Sequence, residues 1–293
     1  MEGLLSILDV IERSADFLAR RGVGSPRLQV ELLLAHVLKM PRMKLYLSFE
    51  RALTEAELDA LRTLVQRRGR REPLQYIVGS TSFCGIELAV DRRVLIPRPE
   101  TEMLAERAWT FLKNHQGGQT EASVALDLGT GSGCLAIALA FHAPGAQIHA
   151  VEISGDALAL ARENAGRHEV SSRIQFHEGD FFSAMPAGLR CDLIVSNPPY
   201  IPSARIDTLE AEVRQYEPRT ALDGGADGLD SYRRISAQAR AFLQPAGRLM
   251  LELDQEGAEA TREIFLKDDW AVEALEQDYN RQPRILIADP RPR

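Results

Sequence analysis

The chain has 293 residues, 45% of them hydrophobic, and a formal net charge of −7. This length and apolar content suit one large core with a small second domain. No apolar run is long enough to span a membrane and no secretory leader is recognisable, so export and membrane insertion are not expected. The charge is uneven: residues 1–75 hold 13 Lys+Arg against 10 Asp+Glu and the remainder 22 against 32, a balance that argues against a DNA-binding role for the larger part.

Residues 1–75 read as a small helical bundle. Ser25-Pro26 supplies an N-cap with proline at the first helical position, and Leu28, Glu31, Leu32, Leu34, Ala35 and Leu38 follow at amphipathic spacing. Thr54 and Glu57 form a capping box that opens another helix, with Leu58, Leu61, Leu64 and Val65 on one face. Pro73 closes it, and Arg67-Arg68-Gly69-Arg70-Arg71 reads as a solvated helix end favoured by the dipole or as a contact for an acidic protein surface or RNA. From 76 to 93, two strand-like runs (76–83 and 86–90) meet at Cys84-Gly85, which predicts a β-hairpin linker. Ile96-Pro97-Arg98-Pro99-Glu100-Thr101-Glu102 then leads into a helix with an acidic first turn, expected to cover a cofactor crevice and line an acceptor channel, with Arg98 held by an acid.

Residues 94–293 read as an α/β domain with seven strands, five parallel and an antiparallel end. The run from Val124 reads as strand, glycine loop, helix: Asp127 ends the alternation, and Gly129, Thr130, Gly131, Ser132 and Gly133 form a tight turn that lets a ligand approach the backbone. The spacing Asp-x-Gly-x-Gly-x-Gly differs from the dinucleotide fingerprint and suits a nucleoside cofactor better than a nicotinamide one. A second strand ends in Glu152, placed to accept from ribose hydroxyls. A third, 174–181, ends in Asp180, an acceptor for an adenine amino group, and Phe181, a flank for its ring.

The fourth strand leads into Asn197-Pro198-Pro199-Tyr200. The Asn side-chain carbonyl accepts hydrogen bonds, and the prolines offer carbonyls with no N–H of their own beside them. Such a loop is built to hold an NH2 group, with the Tyr200 ring against the flat group that carries it. Residues 207–228 are polar and rich in Glu, Arg and Gly, a length that suits a lid. Cys84, Cys134, Cys191 and the six histidines show no metal-ligand spacing.

Taken together, the 96–102 run, the 127–133 loop, Ser196-Asn197-Pro198-Pro199-Tyr200-Ile201, and Tyr216-Glu217-Pro218-Arg219 leading to Gly224-Gly225 resemble the bacterial peptide-chain-release-factor glutamine N5-methyltransferases. The resemblance implies a seven-stranded Rossmann-like class I methyltransferase domain that uses S-adenosyl-L-methionine. It also implies methylation of the glutamine amide in the Gly-Gly-Gln tip of class 1 release factors, with the helical domain helping to recognise that protein. Asn197, Pro198 and Tyr200 would be catalytic, Asn197 to Tyr200 would bind substrate, and Asp127, the 129–133 loop, Glu152, Asp180, Phe181 and Asn197 would bind the cofactor; no metal is expected. Glu152 stands where the family usually has Asp, and Leu251-Glu252-Leu253-Asp254-Gln255 lacks the glycine often found there.

The chemistry is consistent with that implication. An amide nitrogen is a poor nucleophile, so a site must orient it, roughly 3 to 3.5 Å from the electrophile, and stabilise the charge that develops on it. Asn197 and the Pro198 carbonyl are the groups placed to do so. A cytoplasmic monomer is expected. The alternatives are a ribosomal-protein glutamine, a DNA adenine amino group, or a non-catalytic binding module.

Overall fold

The computed structural model describes residues 5–115 and 122–290. The chain divides into two compact units, Met1–Ser80 with Glu210–Tyr216, and Thr81–Leu209 with Glu217–Arg293.

In the first unit, helices Ile7–Arg20, Pro26–Leu38, Arg42–Tyr46, Glu55–Gly69 and Leu74–Val78 enclose an apolar core that includes Ile11, Leu18, Leu33, Leu34 and Leu61. The capping box at Thr54 forms as expected, and a second forms at Ser6 with Asp9. Ser25 precedes its helix without a side-chain cap. The buried face of that helix is Val30, Glu31, Leu33, Leu34 and Ala35, while Leu28 and Leu32 are exposed, so the amphipathic reading was rotated by about one position. Glu31 is buried because Arg27, Arg42 and the Tyr46 hydroxyl all donate to it.

Three of the four 67–71 arginines, Arg67, Arg68 and Arg71, are held in ion pairs, and Arg70 is exposed. Arg68 is buried and donates to Gln29, to the Glu72 carbonyl at 3.1 Å and to Glu212 at 2.6 Å; Arg71 forks onto Glu212 and Arg67 onto Glu72. Glu212 lies in the Ala211–Tyr216 helix, so a piece of the expected lid is a structural part of the helical unit.

The linker strands are β1 (Ser80–Phe83) and β2 (Ile86–Ala89), turning at Cys84 and Gly85, both at positive φ. The strand expected from residue 76 is instead the Leu74–Val78 helix, stopped by Gly79 in the left-handed conformation. Burial of Tyr76 and Ile77 there outweighs their strand propensity.

The second unit is α/β. Its strands are β3 (Val124–Leu128), β4 (Gln147–Glu152), β5 (Ile174–Glu178), β6 (Cys191–Ser196), β7 (Leu243–Glu252), β8 (Ala271–Gln277) and β9 (Pro283–Asp289), in the order β5-β4-β3-β6-β7-β9-β8. The first five are parallel and β9 and β8 close the sheet antiparallel, the expected seven-stranded arrangement. β6 is buried along its whole length, as a strand covered on both faces must be. The chain runs outward from β3 to β5 and then crosses to β6, so the switch point, where ligands bind in open α/β sheets, lies between β3 and β6. Among the described residues, no helix is long and apolar enough to cross a membrane, and no group of His, Cys, Asp and Glu could hold a metal ion.

Candidate active site

Leu128 and Ser196 are register partners at the ends of β3 and β6, and the Ser196 hydroxyl donates to the Leu128 carbonyl at 2.6 Å. The glycine loop and the acceptor loop therefore leave the sheet side by side. Gly129 and Gly131 have φ of 72° and 54°, and an added Cβ on either would meet nothing within 4 Å. Their backbone demands glycine and faces open space. The Gly131 N–H donates to one oxygen of Glu152 at 2.9 Å and the Ser154 N–H to the other at 3.0 Å, which fixes that carboxylate.

These groups border a cavity of about 620 Å³, within the range of small-molecule sites. Gly129, Gly131, Glu152, Asp180, Phe181, Asn197 and Pro199 line it together. The structure thus brings to one cavity residues that the sequence places after four different strands.

Asp127, Thr130 and Ser132 lie buried beneath the loop. Asp127 accepts from the Thr130 hydroxyl at 2.6 Å and from the Ala136 N–H at 3.1 Å, bracing the loop and the first turn of the Cys134–His142 helix. Burial pushes its carboxyl up to about 7 against those two hydrogen bonds, and its Oδ1 has no partner among the described residues. Gly133 serves packing: a Cβ there would lie 2.9 Å from Ile137.

Of the three acids expected to bind the cofactor, Glu152 and Asp180 line the cavity. Asp127 is not at the surface of the cavity, and Asp180 is paired with Arg234 at 2.7 Å. β5 ends at Glu178, before these two residues; Phe181 starts a short 3-10 turn at φ 49°, and the Arg234 guanidinium lies 4.7 Å from the centre of its ring. Arg234 is a lining residue that the sequence did not single out.

In the acceptor loop, Asn197 Nδ2 donates to Thr101 Oγ1 at 3.1 Å, and the Thr101 hydroxyl donates to Glu252 Oε2 at 2.6 Å. The Tyr200 hydroxyl donates to the other Glu252 oxygen at 3.3 Å. Thr101 and Glu252 are each 1% exposed, and burial raises Glu252 to about 7. The same burial, with Glu252 beside it, raises the Tyr200 hydroxyl well above its ordinary value. Pro198 is buried, and the Tyr200 hydroxyl is engaged by Glu252, so Asn197 and Pro199 are the members of the tetrapeptide that line the cavity. Glu252 had no assigned role in the sequence; the signal that could have found it is a carboxylate ending the apolar run Leu249-Met250-Leu251.

The rest of the expected lid is stitched to the acceptor loop. Ile201 N–H donates to the Leu222 carbonyl and Gly224 N–H to the Ile201 carbonyl, both at 2.9 Å. At Gly228, φ 80°, a Cβ would come within 2.4 Å of the Tyr200 carbonyl oxygen, so only glycine allows the two backbones to approach. Pro218, Thr220, Ala221 and Asp223 consequently join the cavity wall. Just before them, Glu217 takes both its hydrogen bonds from Arg98, at 2.7 and 2.8 Å, the acid expected for that arginine.

The PrmC N-terminal domain model matches residues 9–79, and the methyltransferase small domain model matches residues 109–213. The chain is 44% identical to the release factor glutamine methyltransferase of Geobacter sulfurreducens over 281 residues, covering 96% of this chain and 95% of the relative. It is likewise 44% identical to the one from Chlorobaculum tepidum over 288 residues, 97% of each. In fold, the crystal structure of a methyltransferase from Pyrococcus furiosus is similar with a TM-score of 0.54 at 20% identity, covering 77% of this chain and 98% of that one.

Proposed function

The chain belongs to the release factor glutamine methyltransferase family, and on that premise we propose that it methylates the side-chain amide nitrogen of the glutamine in the Gly-Gly-Gln motif of class 1 release factors, using S-adenosyl-L-methionine. The observation that carries the assignment is Asn197. Its Nδ2 is committed to Thr101, which leaves Oδ1 as the free end of a residue that shares a cavity with the glycine loop and Glu152.

The residues present fit the cofactor. Open space in front of Gly129 and Gly131 accommodates a group pressed against the backbone, the fixed Glu152 carboxylate suits ribose hydroxyls, and Phe181 with Asp180 suits a purine. Bound there, the cofactor supplies an electrophilic methyl group on a sulfonium. The chain's own work is to hold and orient the nucleophile. Asn197 Oδ1 accepts one of the two amide N–H groups; Pro198 is buried and outside the cavity lining, so only its backbone carbonyl, which takes no backbone hydrogen bond among the described residues, is left to accept the other. That pins the nitrogen and stabilises the positive charge it gains. After transfer, the nitrogen is acidic enough to lose its proton to water. The enzyme is taken to act in the cytoplasm as a monomer on a protein, the acidic balance of residues 76–293 disfavouring DNA.

Asn197→Ala tests the assignment. Calorimetric affinity for S-adenosyl-L-methionine should stay within a few-fold while kcat on a release factor falls at least about 100-fold, the scale for losing an oriented polar group. Unchanged turnover would remove Asn197 from the acceptor site.

A further inference from the structure

Thr101 precedes Asn197 by 96 positions and Glu252 follows Tyr200 by 52, yet Asn197, Thr101, Glu252 and Tyr200 form one hydrogen-bonded chain. We infer that Glu252 is a positioning residue that sets the direction of this chain, and thereby which end of the Asn197 amide faces the acceptor nitrogen. The relay presupposes that Asn197 holds the acceptor amide, the role given it under the proposed function.

A threonine hydroxyl has one proton to donate. Opposite an ionised Glu252, which only accepts, that proton points at the carboxylate, as the 2.6 Å contact has it. Thr101 Oγ1 is then an acceptor on its other side, so Asn197 presents Nδ2 to it and keeps Oδ1 for the substrate. A donor at position 252 reverses the sequence. Thr101 accepts from 252, its own proton turns toward Asn197, and the amide lies best with Oδ1 toward Thr101 and its NH2 toward the substrate. The Asn197 NH2 then faces the NH2 of the substrate, and the Oδ1 acceptor is lost.

The Tyr200 hydroxyl is tied to the same polarity, because a carboxylate at 252 accepts from it and from Thr101 at once. The surroundings place both forms of Glu252 within reach of ordinary pH. Burial raises it to about 7; Arg284 on β9 favours the ionised form, and Glu100 on the Pro99–Asn114 helix opposes it. Around Tyr200, Asp254 and Arg98 add charges of opposite sign, and the Tyr232 hydroxyl donates to the Glu252 backbone carbonyl at 2.9 Å.

The test is kcat against pH with a class 1 release factor and S-adenosyl-L-methionine, for the wild type, Glu252→Gln and Thr101→Val. Between about pH 5.5 and 8.5 the wild type should gain activity with pH as the group at 252 ionises. Glu252→Gln, whose amide can donate to Thr101, should lose that limb and at least about tenfold in kcat, with cofactor affinity within a few-fold of wild type. Thr101→Val, which removes the hydroxyl and keeps the shape, should match it. If Glu252→Gln fails to fold, Thr101→Val decides. If both fail, the wild-type profile does, a flat one contradicting the inference. Loss of turnover in Asn197→Ala, with wild-type kcat and pH profile in Glu252→Gln, would overturn the relay and leave the acceptor site standing; full turnover in Asn197→Ala would overturn the acceptor site itself.

Discussion

The Ser196 hydroxyl donates to the Leu128 carbonyl at 2.6 Å, and this contact joins the ends of the two central strands at the point where the glycine loop and the acceptor loop depart. Both partners are buried, so Ser196→Ala strands a carbonyl oxygen without its donor. The expected cost is about 1–3 kcal/mol of stability in urea denaturation. A decrease in turnover should accompany it, because both loops take their positions from this junction.

Gly131→Ala tests the open face of the glycine loop. At φ 54° an alanine is strained, by about 1–2 kcal/mol, and its methyl enters open space rather than packed atoms. The fold should survive that strain. Calorimetry should show affinity for S-adenosyl-L-methionine at least about tenfold weaker, well beyond what the strain does to thermal stability.

Arg98→Met leaves Glu217, whose side chain is 1% exposed, without its cation. Burial already raises the Glu217 carboxyl and Arg98 acts against it, so removing the arginine raises it further. A carboxyl raised above its unfolded value loses stability as pH rises beyond that unfolded value. The variant should therefore melt near the wild type at about pH 5 and clearly below it at about pH 8, whereas a simple loss of packing would lower it equally at both.

Asp127 and Glu252 carry the same sign in the intact protein. Both are pushed up to about 7 by burial, from unfolded values of 3.8 and 4.5. The native state binds more protons between those limits, so their contribution to stability falls as pH rises through that window and is fully lost above about 7. Chemical denaturation of the wild type and Glu252→Gln from about pH 5 to 8 should show a shallower decline in the variant.

What the sequence disclosed was local. The glycine loop, the strand-end acid Glu152 and the acceptor tetrapeptide each carry their chemistry within a few residues, and the alternation of strand and helix assigned them to one end of one sheet. Contacts between distant positions stayed hidden. Thr101 and Glu252 are separated by 151 residues, so nothing along the chain links them to Asn197. Asp127 looked like a ligand because it ends a strand beside a glycine loop, but its burial makes it a brace. The engagement of Arg68 and Arg71 was hidden because their shared partner, Glu212, arrives from 141 residues beyond Arg71. At 74–78, tertiary burial set the backbone where β-branched residues suggested a strand.

The most direct test of the central claim is fragment mass spectrometry of a purified class 1 release factor incubated with this protein and S-adenosyl-L-methionine, beside a duplex DNA control. The account predicts a single added methyl on the side chain of the Gly-Gly-Gln glutamine and none on the DNA. An unmodified glutamine, with methyl on adenine instead, would contradict it.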